Sequence, residues 1–501
     1  MYNSFTSLTY SFTRALPFPR IVKLSCKCIL IQSHFASLFQ IPPPPFLPSL
    51  HSLHFLSFYS VALPFLAMKS SSSKSLEMLI ITEVNRPSVI TPGQRLKMPR
   101  EVPPREGYSL WEIIKPNLGR DFSRFKVPVN MNEPVTMLQR LAESYMAYID
   151  LILKAITKEA PIERMELIAT YAISGLATNR NRLTKPFNPL LLETFEYQKD
   201  GCRFMSEQVS NHPPVSLLHV DGPGFHLTAT VSPKVSFWMN RLICNPNSVV
   251  KLVLTHTNEV YHWETPTCTI WNVMLGKPYM NLSGNSIIRC PSTGYEARLN
   301  FDSNGGWSQR TTDLHVDGYI NHGKVAIRGI YGNWSLYVAT CPAHSLKDNY
   351  NLWQKAFLKS VSEKGDKGVI LPQSTVLWSA FKLPDRYEMQ YHFTYMTLHL
   401  NEIPPSLKSV LPATDSRKRP DMHKLEHGQL EAACDCKEYI EEAQRARRKE
   451  GGKRTKPKWF THGKDGWTFN TSYWDRKFDD CEDIFEGPNG AVIRTAREKR
   501  P

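Results

Sequence analysis

Between residues 215 and 340 the chain is a succession of short stretches rich in β-branched and aromatic residues. Among them are VVKLVLTHT (249–257), TCTIWNVML (267–275), YEARLNF (295–301) and WSLYVAT (334–340), separated by Gly, Pro, Asn and Asp. Such side chains favour a pleated, half-buried surface, and the residues between them favour turns. Many consecutive antiparallel strands are the simplest arrangement, and so long a sheet removes its edges by closing wholly or partly into a barrel. A barrel of this kind encloses a small ligand where side chains do not fill its inner wall.

The flanks read as helix. Asn132-Glu133-Pro134 has the form of a helix start, a capping side chain ahead of a proline whose missing N–H costs nothing in the first turn. Leu138, Leu141, Tyr145, Tyr148 and Ile152 then recur at the three-four spacing of one buried face. A second helix is expected over 162–177, burying Met165, Ile168, Ala172 and Leu176, and the region 421–450 returns to helix. Trp459, Phe460, Trp467, Phe469, Tyr473 and Trp474 read as anchors packing the tail onto the domain. The fold class is therefore mainly β with flanking α, ordered as helices, a long meander, then helices.

Over 501 residues the chain is 41% hydrophobic and 11% aromatic, which excludes a fully disordered, collagenous or polytopic membrane protein. Its net charge of +15 is concentrated. Six basic and no acidic residues lie in 1–76, and 445–458 (RARRKEGGKRTKPK) sets eight basic residues against Glu450. The body between is nearly neutral, which disfavours the basic surface of a nucleic-acid binder. Ten scattered cysteines form no CxxC pair, so neither a disulfide framework nor a metal site is indicated, and reduced, mostly buried thiols in a cytosolic protein are expected.

Residues 1–68 are Ser-, Phe-, Leu- and Pro-rich, lack acids and include the run PPPP. Three readings stay open: an organelle-targeting segment, a membrane anchor, or an upstream extension not made in the cell, with Met68 as the start. The expected organisation is this extension, a linker and lid region over 69–107, a folded domain over 108–485 and a tail over 486–501.

Three segments carry candidate chemistry. In TKPFNPLLLETFE (184–196), prolines on either side of Phe187 and Asn188 force an extended path that holds Lys185 and Asn188 in a fixed loop, unless this is an ordinary turn with a solvated lysine. In EQVSNHPP (207–214), Pro213-Pro214 stiffens the backbone after Ser210, Asn211 and His212. That cluster of donors suits a phosphate or a polyhydroxylated group, or else it is a strand end with a satisfied histidine. PATDSRKRPD (412–421) precedes a helix on which Lys437, Glu441 and Arg445 recur every four residues. The row can pair internally on a solvated face, or Lys437 and Arg445 can clamp an anion with Glu441 orienting them.

EQVSNHPP closely resembles the EQVSHHPP fingerprint of the oxysterol-binding protein family, and KPFNPLL, TDSRKRPD and the Lys437/Glu441/Arg445 helix follow in the family's order. The resemblance runs from about Tyr108, in SLWEIIKPNLGRDFSRFKVPV, through Trp474 and the tail. It implies an incomplete antiparallel β-barrel enclosing a hydrophobic lipid tunnel, with an N-terminal lid near 80–107 and flanking helices. It also implies non-enzymatic carriage of one lipid at a time, a sterol or phosphatidylinositol 4-phosphate, with no cofactor. Carried over residue by residue, the head group is gripped by Lys185, Asn188, Asn211, His212, Lys437, Glu441 and Arg445.

The chain departs from the pattern twice. Asn211 stands for the first histidine and cannot become cationic, though its amide still donates. Leu192 stands where the family has glycine, so a positive φ there would strain or reshape the loop. Signatures of nucleophilic, zinc-dependent or P-loop catalysis are not found, and none is needed, because transfer breaks no bond. The expected partners are sterol and phosphoinositide lipids and anionic membrane surfaces touched by the basic helix end, with no nucleic acid. Without an acidic-flanked FF pair or room for a pleckstrin-homology domain upstream, the chain reads as a short, cytoplasmic form acting peripherally on membranes. A sensor or scaffold using the same pocket without net transfer is the alternative.

Overall fold

A computed structural model describes residues 79–81, 86–87, 93–102, 110–115, 127–301, 314–362, 367–450, 456–464 and 466–485. The extension over 1–68 and the tail over 486–501 lie outside the described residues. The alternation expected of a half-buried sheet is realised: Phe225–Val231 and Ser248–Leu254 each bury every second side chain fully and leave the intervening ones more open.

Twelve strands pair antiparallel in chain order, from Thr194–Lys199 at one edge to Thr375–Ser379 at the other. The hairpins Lys234–Trp238/Arg241–Asn245 and Thr267–Trp271/Tyr279–Ser283 leave this meander and pair with each other as a separate four-stranded sheet. The edge strands of the large sheet do not pair with one another among the described residues, so the barrel is incomplete. Helices Met137–Met146, Asp150–Ala155 and Pro161–Ser174 supply the missing wall: Leu138, Ile152, Met165 and Ile168 share one apolar core with Phe204, Leu227, Val250 and Leu299 of the sheet.

One local expectation is corrected. Asn132–Thr136 is a strand, paired in parallel with Lys185–Phe187, and the helix starts at Met137. Thr136 is the cap, in a reciprocal capping box with Gln139. Long-range contacts outbid the local signal, since the Asn132 amide donates to the Lys185 carbonyl at 3.0 Å and the Glu133 carboxylate accepts from Arg182 at 2.8 Å. Tyr148 and Ile152 are buried as expected, but Tyr148 lies in the turn that ends the first helix and Ile152 in the next helix.

Where the 69–107 region is described, it lies along one flank. Leu79–Ile81 pairs with Gly368–Ile370, and Met98 is buried against Val135, Tyr391, Phe393 and Leu398. The helix Leu110–Ile114 sits elsewhere, with Ile114 packed on Val273 in the turn between Thr267–Trp271 and Tyr279–Ser283. The tail aromatics form a cluster with Met205, Val209 and Leu217 of the large sheet. All eight described cysteines are free, and no helix among the described residues is long and apolar enough to cross a membrane.

Candidate functional site

A cavity of about 370 Å³ lies between the helices and the point where the small sheet leaves the large one. Met137, Tyr145, Tyr171, Trp263, Ile270 and Leu282 give it apolar walls, and Ile114 reaches it from the N-terminal side. Sites for small apolar ligands have about 300–1,000 Å³ and a few placed polar groups. Here the cationic side chains gather together, where Arg140, Arg182 and Lys185 line the same space with Thr184. Arg140 and Arg182 are committed to the buried Glu133, whose carboxyl they hold below the usual range against the cost of burial.

Lys185 marks the passage to the outside. Its ammonium donates to the Asn188 side-chain oxygen, as the fixed loop between Pro186 and Pro189 predicts. Burial, with the neighbouring Lys437 second, pushes Lys185 down to about 8. Lys437 donates to the Val127 carbonyl at 2.9 Å and to Asn132 Oδ1 at 3.0 Å, and its pKa is lowered first by burial. Asn132 thus grips the backbone of one lysine and the side chain of the other. Sequence reasoning read it only as a cap, because nothing local marks a residue whose partners lie 53 and 305 positions away.

The row on the Leu430–Glu450 helix is divided. Arg445 is half exposed and lies 3.9 Å from Glu441 and 3.6 Å from Glu442, the internal pairing left open from sequence. The helix turns a different residue, Gln444, toward the fingerprint: its amide lies 3.0 Å from the Asn211 amide and accepts from the Leu191 N–H at 2.8 Å. Gln444 was missed, although it stands three residues after Glu441 on an adjoining face. His212 is exposed at the tip of the same hairpin, beside Asn211.

TDSRKRPD supports the site from below. Arg417 is bidentate to Asp415 at 2.8 Å, and Arg419 holds Asp421, Glu193 and the Asn188 carbonyl at 2.7–3.0 Å. Both arginines are buried, so neither contributes surface charge. Leu192 adopts φ +69°, the left-handed conformation that would explain a glycine there. Its N–H donates to the Gln208 carbonyl at 2.9 Å, which ties the loop to the fingerprint strand.

Glu207, which opens the fingerprint, is buried and accepts from the backbone N–H groups of Lys458 and Trp459, each at 3.0 Å. Burial pushes its carboxyl up from 4.5 to about 7. The folded chain then keeps this proton where the unfolded chain releases it, so the stabilising contribution is complete below 4.5 and is lost as pH rises through 7. Relative to Glu207→Gln, the wild type is expected to lose up to about 3 kcal/mol of stability between those limits, read from urea midpoints. Parallel pH profiles for the two proteins would refute this.

The family model described as "Oxysterol-binding protein" matches residues 109–478. The chain belongs to the oxysterol-binding protein family. Oxysterol-binding protein-related protein 1 of Rattus norvegicus is 35% identical over 78% of this chain, and oxysterol-binding protein-related protein 2 of Mus musculus is 34% identical over 78%. The chain spans 44% of the length of the first and 88% of the second. Among solved structures, the Osh3 ORD from Saccharomyces cerevisiae in complex with PI(4)P superimposes with a TM-score of 0.65 at 28% identity, covering 78% of this chain and 99% of that one. The Osh1 ORD in complex with cholesterol gives 0.66 at 26% identity, with 78% and 94% covered.

Proposed function

We propose that this protein withdraws single lipids, a sterol or phosphatidylinositol 4-phosphate, from one membrane and delivers them to another without chemical change. The observation that carries this is the apolar cavity with its cationic lining gathered together, continuous with the Lys185–Lys437 cluster. A lipid leaves a bilayer only for equivalent apolar burial, worth about 25 cal/mol per Å². Tyr145, Tyr171 and Trp263 supply that surface. A phosphorylated inositol then meets Lys185, Asn188 and Lys437, with Asn211, His212, Glu441 and Arg445 around the rim, and charge-assisted bonds separate it from bulk lipid. The lid was expected over 69–107; because Ile114 lines the cavity, the helix Leu110–Ile114, just after that region, takes the part of the cover in this proposal. Similar domains crystallised with PI(4)P and with cholesterol support both ligands.

Exposed apolar side chains near the helix Leu110–Ile114 support action at a membrane surface, as expected of a cytoplasmic protein working peripherally. Trp238, Met239, Met274 and Leu275 are exposed at the tips of the two hairpins of the small sheet, and Asn240 knits the tips together through the Met274 N–H at 2.6 Å. This apolar point near the cover, with Arg241 and Lys277 beside it, suits an anionic bilayer.

The test incubates the full chain with vesicles carrying fluorescent sterol or phosphatidylinositol 4-phosphate, then removes the vesicles. Both lipids should remain with the protein, and Trp238→Ser/Leu275→Ser should slow their uptake without changing Tm. If neither lipid remains, transfer is refuted and the sensor or scaffold reading takes its place.

A further inference from the structure

Far from the cavity's cationic side chains, the hairpin Pro214–Gly222/Phe225–Val231 brings together His219, Asp221 and His226. It is the one group of three such side chains with ligand atoms all within 4.8 Å of one another among the described residues. His219 Nε2 and His226 Nδ1 each lie 2.8 Å from the same oxygen, Asp221 Oδ1. Strand geometry makes the placement rigid. His219 and Asp221 are two residues apart and so share a face, and Asp221 stands directly opposite His226 in the register. Pro223 and Gly224, the latter at φ +82°, form a two-residue turn that fixes this register.

We propose that these three side chains bind a divalent transition metal, zinc foremost. Two imidazoles and one carboxylate are a donor set that zinc accepts in open sites, with water completing the tetrahedron. Zinc–nitrogen and zinc–oxygen bonds of about 2.0–2.2 Å put ligand atoms about 3.3 Å apart, so each 2.8 Å contact has only to open by about half an ångström. On binding, each ring would turn a lone pair to the metal and carry its proton on its other nitrogen, His219 Nδ1 and His226 Nε2.

Two features hold the ligands in place. The His219 ring is buried and stacked on Phe469 at 4.5 Å, and Arg203 lies 3.6 Å from the second Asp221 oxygen. His226 is half exposed, giving the ion its entry. Because Phe469 belongs to the tail cluster, an occupied site would also tie the hairpin to the tail.

The test titrates zinc chloride into the chelator-treated full chain by calorimetry and follows cobalt(II) by visible absorption, for wild type, His226→Ala and Asp221→Asn. The wild type should bind one equivalent with tetrahedral cobalt bands and no thiolate charge-transfer band. Both variants should weaken that equivalent at least tenfold while keeping the metal-free Tm. No binding by the wild type, a thiolate spectrum, or equal affinity in the variants overturns the site. His226 is exposed enough that its truncation leaves the fold in place.

Discussion

Replacing Arg419 with methionine is expected to lower stability by about 3–5 kcal/mol, read as a shift in urea midpoint at an unchanged slope. Arg419 is 2% exposed. Its guanidinium divides between Asp421, at 3.0 and 2.7 Å, and Glu193, at 2.9 Å, and lies 5.3 Å from the centre of the Phe187 ring. Methionine fills much of the volume but leaves two buried carboxylates without a cation, the expensive half of breaking a buried pair. Burial already pushes the Glu193 carboxyl upward against the pull of Arg419, so the variant should be worst at high pH, where that proton is hardest to keep.

Lysine at position 419 keeps the charge but not the planar fork and should recover only part of the loss. The damage reaches the head-group loop, because Arg419 also holds the Asn188 carbonyl at 3.0 Å. A midpoint shift worth less than about 1 kcal/mol would mean that the segment is not the support described here.

The second large effect concerns the ligand. Lys437→Met should reduce extraction of phosphatidylinositol 4-phosphate by about 10–100-fold, the equivalent of one or two charge-assisted bonds, while sterol extraction stays within a factor of two. Equal loss of both lipids would instead mark a collapse of the loop through Asn132, which Lys437 also contacts.

The pH profile adds a readout that a structural defect would not mimic. Lys185 is held down to about 8 first by burial and then by Lys437, so wild-type phosphoinositide uptake should be complete below 8 and fall as pH rises through it. Removing the Lys437 charge relieves that repulsion, and the fall should move to higher pH. Uptake measured from pH 6.5 to 9.5 decides the matter, and an unshifted profile would sink the coupling of the two lysines.

How much of this was legible beforehand differs by kind of feature. VVKLVLTHT was readable as a strand because β-branched residues crowd it, and Ser248–Leu254 forms one. The same holds for the extended Lys185–Asn188 loop, since proline restricts its own backbone and its neighbour's. The positive φ at Leu192 was legible only as a departure from a family pattern, and the geometry bears out the conformation that a glycine would favour. By contrast, the two hairpins that leave the meander have the same composition as those that stay, and only their pairing with each other sets them apart.

By itself the sequence determined the conformation of the strands and of the proline-bounded loop, and the set of side chains able to meet an anion, because proline, β-branching and side-chain chemistry act within a few residues. Tertiary structure decided which of them meet. Asn132 became a bridge between two lysines rather than a cap, Gln444 rather than Arg445 reached Asn211, and His219, Asp221 and His226 converged across a turn. Each outcome depends on the register between elements, and register is set by the summed burial of whole faces, a quantity no short stretch of sequence contains.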